Sequence, residues 1–258
     1  MASVLSEIKN SVAFLTLNRP DKFNSFNREM ALLLQQHLGE CAKNKDVRCV
    51  YITGAGKAFS AGQDISELTG DKPVAFDKIL SEHYNPIIHQ IRHLEKPVIA
   101  AVNGVAAGAG ANIALCCDVV VASSSASFIQ AFSKIGLIPD SGGTFFLPRL
   151  IGFQKASAIM MLGDKISAKD AEGMGMIYKY FDDDIFGDQS FKIAEILSQM
   201  PTLGLANTKA ALNRSLQNNL ADQLALEDKL QFQSAHTKDY KEGIAAFTEK
   251  RKPNFTGE

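Results

Sequence analysis

One carboxylate in this chain stands where a titratable group could do chemistry. In "GLIPDSGGTFFLPRL" (136–150), Asp140 lies between a largely apolar run, Ile135 to Pro139, and a Gly-Gly pair that opens a second apolar segment. Apolar surroundings penalise the charged form of a carboxyl group, raise its pKa and make it a better base near neutral pH. The same Asp-Ser-Gly-Gly run is also a good turn former and helix N-cap, a role worth about 1 kcal/mol. A second stretch, "GVAAGAGANIA" (104–114), sets small residues at the start of a helix. There a ligand can approach unpaired backbone N–H groups, which suit a developing oxyanion. It is not a dinucleotide fingerprint, because "FIQAF" (128–132) lacks the acidic residue that would hold a ribose about 20 positions on.

Other candidates carry less. His89 and His93 in "HQIRH" share a helical face but lack the glutamate of H-E-x-x-H, so no metal site is expected. Neither Ser60 in "AFSAG" nor Ser141 in "PDSGG" sits in a G-x-S-x-G elbow, which argues against a serine hydrolase. The basic run "EKRK" (249–252), between Phe247 and Phe255, reads as a solvated helix end that could also meet phosphates, with a ring stacked on a base. With 27 basic and 28 acidic residues the chain has no global attraction to nucleic acid or membrane, so an anionic ligand must be held locally. Four cysteines (Cys41, Cys49, Cys116, Cys117) form no C-x-x-C, and the adjacent pair falls in an apolar run, as buried thiols do. They fit a reducing, cytoplasmic setting. The start "MASVLSEIKNSV" has no basic-then-apolar leader, and no apolar run of membrane-spanning length is free of polar residues.

The elements that must position these residues follow from periodicity. "VLSEIKN" and "VAFLTLN" read as a hairpin around Asn10-Ser11, and Asn27 caps a helix over about 28–42 with Met30, Leu33, Leu34 and Leu38 on its apolar side. "VRCVYITG", "KPVIAAVNG" and "DVVVAS" are near-continuous apolar strands of the kind buried on both faces. Between them come the loop "GAGKAFSAGQDISEL", a helical stretch from about 74 to 94, and the helix "AAGAGANIALCC". "SAKDAEGMGMIYKYF" predicts a capped helix and a strand; from about 187 the pattern is helical, broken at Pro201. Strands alternating with helices, then helices alone, predict an α/β core over 1–195 and a helical region over 196–258.

"GKAFSAGQDISEL" (56–68), "KPVIAAVNGVAAGAGANIALCCDVVVAS" (96–123) and "GLIPDSGGTFFLPRLIG" (136–152), in this order and spacing, resemble the crotonase (enoyl-CoA hydratase/isomerase) superfamily, and "LNRPDKFNSFN" and "GIAAFTEKRKPNF" match its two ends. The resemblance implies a spiral of ββα units and a C-terminal helical region that builds trimers, which can pair into hexamers. It implies an acyl-CoA thioester substrate and no metal or redox cofactor. Matching positions put the oxyanion-hole N–H donors on Ala61 and Ala109, next to Gly108. They put Ala61, Gly62, Gln63, Asp64 and Ile65 along the pantetheine arm, Lys22 and Phe23 at the nucleotide end of coenzyme A, and Phe247 over that end, from this chain or a neighbouring subunit.

Hydratases of the superfamily carry two glutamates that activate water. The matching positions here hold Asn112 and Phe132, while Asp140 stands where hydratases have glycine. "GVAAGAGAN", "AFSKIGLIPDSGGT" and "LPRLIG" are similar to the isomerases that act on ring-1,2-epoxyphenylacetyl-CoA in phenylacetate breakdown. The resemblance therefore implies an acyl-CoA isomerase with Asp140 as its one acid/base and Asn112 orienting an epoxide oxygen. The acyl group would lie among Phe132, Ile135, Leu137, Ile138 and Phe145 or Phe146. Two alternatives stand beside it: an enoyl-CoA hydratase relying on Asp140 alone, and a non-catalytic acyl-CoA-binding scaffold.

Overall fold

The computed structural model describes residues 2–69 and 75–258. Strands β1 (Val4–Lys9) and β2 (Val12–Leu17) form the expected hairpin, turning through Asn10 and Ser11 with φ of 51° and 60°. Helix α1 (Arg28–Lys43) starts where the Asn27 side chain accepts the Met30 N–H at 3.0 Å. Met30, Leu34 and Leu38 are buried against the sheet, with Leu33 packed at the margin.

From there the chain repeats one move: a strand of a large sheet, a short strand of a small sheet, then helix. β3 (Cys49–Gly54) leads into β4 (Ala58–Ser60) and the short helices α2 (Ser66–Thr69) and α3 (Phe76–Lys78). A π-helical turn, Ile79–Tyr84, runs into α4 (Asn85–His93). β5 (Val98–Val102) leads into β6 (Val105–Ala107) and α5 (Ala109–Leu115). β7 (Val119–Ser123) leads into β8 (Ser127–Ile129), a 3-10 turn over Ala131–Ile135, α6 (Gly143–Ile151) and α7 (Phe153–Leu162). β9 (Lys165–Ser167), α8 (Ala168–Gly173) and β10 (Lys179–Phe181) close the spiral, and α9 (Phe186–Ser198), α10 (Thr202–Ser215), α11 (Leu220–Ala235) and α12 (Lys238–Glu249) follow. Among the described residues no helix is long and apolar enough to cross a membrane.

The large sheet has the order β1-β2-β3-β5-β7-β10 and is parallel except for the first hairpin. Its central strands are buried on both faces, as expected from their unbroken apolar runs. Val50 and Ile52 of β3 join the main core, while Cys49 and Tyr51 face the opposite layer with Phe186 and Ala194 of α9. The small sheet, β4-β6-β8-β9, is parallel across β4, β6 and β8. Two glycines let the sheets pack: a Cβ on Gly54 would lie 2.1 Å from Ala58 O, and one on Gly104 would lie 2.2 Å from Lys57 O.

The helical stretch expected from 74 to 94 is not one α-helix, and residue 74 lies outside the described residues. Pro86 has no N–H for the Glu82 carbonyl, and the ladder widens by one residue just before it, with Asn85 N–H reaching Leu80 O. The carbonyls of Glu82 and His83 are taken instead by Gln35 Nε2 at 2.8 and 3.1 Å. This turn sets the position of Tyr84.

Candidate active site

β4, β6 and β8 run parallel, so the loops that follow them emerge side by side. Those loops wall a cavity of about 250 Å³ lined by Ala61, Gly62 and Gln63 after β4, Gly108 and Ala109 after β6, and Ala131 and Phe132 after β8. Ile135, Leu137 and Asp140 complete the far wall; Ile65, Leu68, Ile79 and Tyr84 close the side. Of the apolar residues expected around an acyl group, Phe132, Ile135 and Leu137 line it. Ile138, Phe145 and Phe146 do not, and Ile138 is 81% exposed.

Asp140 is held by its main chain. Its carbonyl accepts Asn112 Nδ2 at 2.9 Å and Gly143 N–H at 2.8 Å, and Ser141 Oγ donates to its Oδ1 at 2.9 Å. Ser141 and Gly142 both take positive φ (50° and 74°), so the chain turns sharply after the carboxylate. The N-cap residue of α6 is Gly142 and no side chain caps that helix, so Asp140 is not a helix cap. Burial in the apolar wall pushes its pKa up from 3.8 to about 6, against the smaller opposing effect of the Ser141 hydroxyl.

The structure corrects the expected pair of N–H donors. Ala61 lines the cavity, but its N–H is committed to Phe23 O at 2.9 Å. The free donor on that loop belongs to Gln63. Phe26 pairs with the strand-like segment around it, donating to Gly62 O at 2.7 Å and accepting from Asp64 N–H at 2.8 Å. Such a parallel bridge turns the Gln63 N–H the other way. The Gln63 and Ala109 N–H groups find no acceptor among the described residues. Gly62 (φ 86°) brings the two loops together: a Cβ there would sit 2.8 Å from Ala107 O and 3.4 Å from Ala109 N. Ala109 is the first residue of α5 and buried, so its N–H adds the positive end of that helix.

Two other expectations change. Asn112 does not line the cavity: its Nδ2 is spent on Asp140 O and its Oδ1 accepts Gln130 Nε2 at 2.7 Å, so it holds the Asp140 backbone instead of orienting a substrate oxygen. Asp64 does not line it either. It pairs with Arg19 Nη2 at 2.8 Å and caps Ser66, and those bonds outweigh its burial and keep its pKa low. Lys22 and Phe23 sit at a 3-10 turn outside the cavity, where Phe23 shapes the site through its carbonyl. Phe247, on α12, is 86% exposed and away from the cavity. Gly62, Ile65, Gly108 and Phe132 line the cavity.

Sequence reasoning missed Tyr84, Leu68, Ile79, Ala131 and Lys134. Tyr84 is fully buried, its hydroxyl donates to Gln63 Oε1 at 2.7 Å, and burial, with the Asp140 charge next, holds its pKa well above the usual value. Its only sequence signal is the Asn-Pro that follows it, which marks the helix irregularity. The four cysteines are buried and unpaired, and among the described residues no cluster of His, Cys, Asp or Glu could hold a metal ion.

A family model for enoyl-CoA hydratase/isomerase matches residues 7–258. A 1,2-epoxyphenylacetyl-CoA isomerase of Escherichia coli is 44% identical over 261 residues, covering 100% of this chain and 99% of that protein. A trans-2-decenoyl-acyl-carrier-protein isomerase of Streptococcus mutans is 35% identical, covering 98% of each. The crystal structure of an enoyl-CoA hydratase from Bacillus anthracis superposes with a TM-score of 0.93 at 32% identity, covering 99% of this chain and 100% of that one.

Proposed function

We propose, from the premise that this chain belongs to the enoyl-CoA hydratase/isomerase family, that it is an isomerase of acyl-CoA thioesters with one carboxylate as acid and base. The observation that carries this reading is that, among the described residues, one carboxylate with a raised pKa, Asp140, shares an apolar cavity with two backbone N–H groups that find no acceptor. The thioester carbonyl oxygen accepts from Gln63 and Ala109, which lowers the cost of the enolate; losing one such donor commonly costs about 3 kcal/mol. Asp140 takes a proton from one carbon and returns it to another, so the double bond shifts and nothing is added or lost. A pKa of about 6 leaves it mostly ionised at neutral pH yet a competent acid once protonated.

Hydration needs a second group to activate water. At the two positions where the resemblance places hydratase glutamates, Phe132 is apolar and Asn112 has both ends of its amide occupied. The full-length likeness to a 1,2-epoxyphenylacetyl-CoA isomerase supports a ring-epoxide acyl group as one substrate, with Asp140 assisting ring opening. The scaffold alternative has less support, since the cavity and its two donors are intact. The expected trimer is supported by α11, which buries none of its residues within the chain and exposes Leu220, Leu224 and Phe232; sedimentation reads its mass.

The deciding assay is conversion of 3-enoyl-CoA to 2-enoyl-CoA by wild type and Asp140→Asn, with crotonyl-CoA hydration alongside. A loss of roughly 100-fold or more in kcat is expected in a folded variant. Equal activity in both proteins removes Asp140 from the chemistry, and a wild type that only hydrates overturns the isomerase reading.

A further inference from the structure

We infer that Tyr84 is a positioning residue for the oxyanion donors, acting through Gln63: with Glu67, it grips the Gln63 side chain from both ends and keeps that amide on the cavity wall. The inference rests on reading the cavity as a thioester site. Tyr84 ends the π-helical turn, is fully buried and lines the cavity. Its hydroxyl donates to Gln63 Oε1 at 2.7 Å. At the other end of the amide, Nε2 donates to Glu67 Oε2 at 3.0 Å and to Asp64 O at 3.3 Å. Glu67 is anchored in turn, because its Oε1 accepts the Arg28 N–H at 2.7 Å. Both Glu67 carboxylate oxygens are used as acceptors, so Glu67 decides which end of the amide faces it and leaves Oε1 for the tyrosine.

Phe26 ties this grip to the donor itself. Its backbone holds the Gln63 main chain through Gly62 and Asp64, and its ring braces Tyr84 edge-on, with centroids 5.9 Å apart and planes at 74°. Main chain and side chain of Gln63 are thus referenced to one buried residue. Without the Tyr84 hydroxyl, Gln63 Oε1 is an acceptor with no donor in an apolar wall, a state a side chain leaves by rotating. The space open to it is the cavity. There its NH₂ group meets the Asp140 carboxylate or competes with Gln63's own N–H for the thioester oxygen. Either contact disturbs the chemical step more than it disturbs substrate binding.

The test is a double-mutant cycle, with kcat and KM measured separately. Tyr84→Phe is expected to lower kcat about tenfold while KM stays within about twofold. In a Gln63→Leu background, whatever that change itself does, adding Tyr84→Phe is expected to lower kcat no further, since no amide remains to be misplaced. An equal kcat loss in both backgrounds, or a rise in KM alone, overturns the inference and makes Tyr84 a wall residue. Should Tyr84→Phe fail to fold, Glu67→Ala frees the same amide from its other end and must show the same dependence on Gln63. The cycle is read on whichever thioester reaction the wild type catalyses, isomerisation or hydration. The positioning role is therefore judged even where Asp140→Asn has already overturned the isomerase reading.

Discussion

The two sheets of this molecule are made of different kinds of strand and do different work. The large sheet's central strands, β3, β5 and β7, run five or six residues with almost every side chain buried. Each strand of the small sheet is three residues long, too short to bury much on its own account. Yet the small sheet places the cavity, since Gln63, Ala109 and Phe132 all lie just beyond the carboxyl ends of its parallel strands. Parallel neighbours deliver their following loops to one edge, and that is where α/β folds put ligands. Stability is concentrated in one layer, and the geometry of the donors in the other.

The sharpest way to break this comparison is to move the small sheet alone. A Cβ on Gly110 would lie 2.6 Å from both Ser60 Cβ and Ser60 O, so Gly110→Ala must push α5 off β4. That separates the Ala109 and Gln63 N–H groups, and kcat is expected to fall about 100-fold, the scale of losing one oxyanion donor. Ile52→Ala, in the large sheet, is expected to cost about 2–5 kcal/mol of stability, read by denaturant melts, while kcat below the new midpoint stays near that of wild type. An equal kcat loss in Ile52→Ala would dissolve the division of labour. Asn112→Ala falls between the two: it orphans the Gln130 amide and one bond to Asp140 O, at about 1–3 kcal/mol, with a smaller loss of kcat than Asp140→Asn.

The same contrast explains what the sequence made legible. The large sheet announces itself in "VRCVYITG", "KPVIAAVNG" and "DVVVAS", because strands buried on both faces need unbroken apolar runs. The small sheet does not. β4 and β6 hide inside segments that read as a glycine loop and a helix start, and three residues carry no period. Motif resemblance found the site's loops, Asp140 and Ala109, but a one-dimensional match cannot say which N–H in "SAGQD" is free. That depends on Phe23 and Phe26, nearly 40 positions upstream of their partners Ala61, Gly62 and Asp64. Tyr84 was invisible for a similar reason: its place depends on a helix widened before Pro86 and on carbonyls taken by Gln35.

A further expected effect concerns pH and tests the cavity from the stability side. Asp140 has a folded-state pKa of about 6 against an ordinary 3.8, so between those values the native state binds a proton that the unfolded chain has lost. By linkage, this group's contribution favours folding most when both states are protonated and declines as pH rises through 3.8 towards about 6. Asn in its place is neutral throughout and keeps nearly the same shape. Asp140→Asn is therefore expected to be more stable than wild type at pH 8, with the advantage shrinking below pH 6 and gone by about pH 3. Thermal melts of the two proteins across that range read it directly. A variant no more stable than wild type at pH 8 would mean that the carboxylate is ionised at no cost where it sits. The apolar wall built by the short strands would then not be what raises its pKa, and the acid limb of the rate profile near pH 6 should be missing as well.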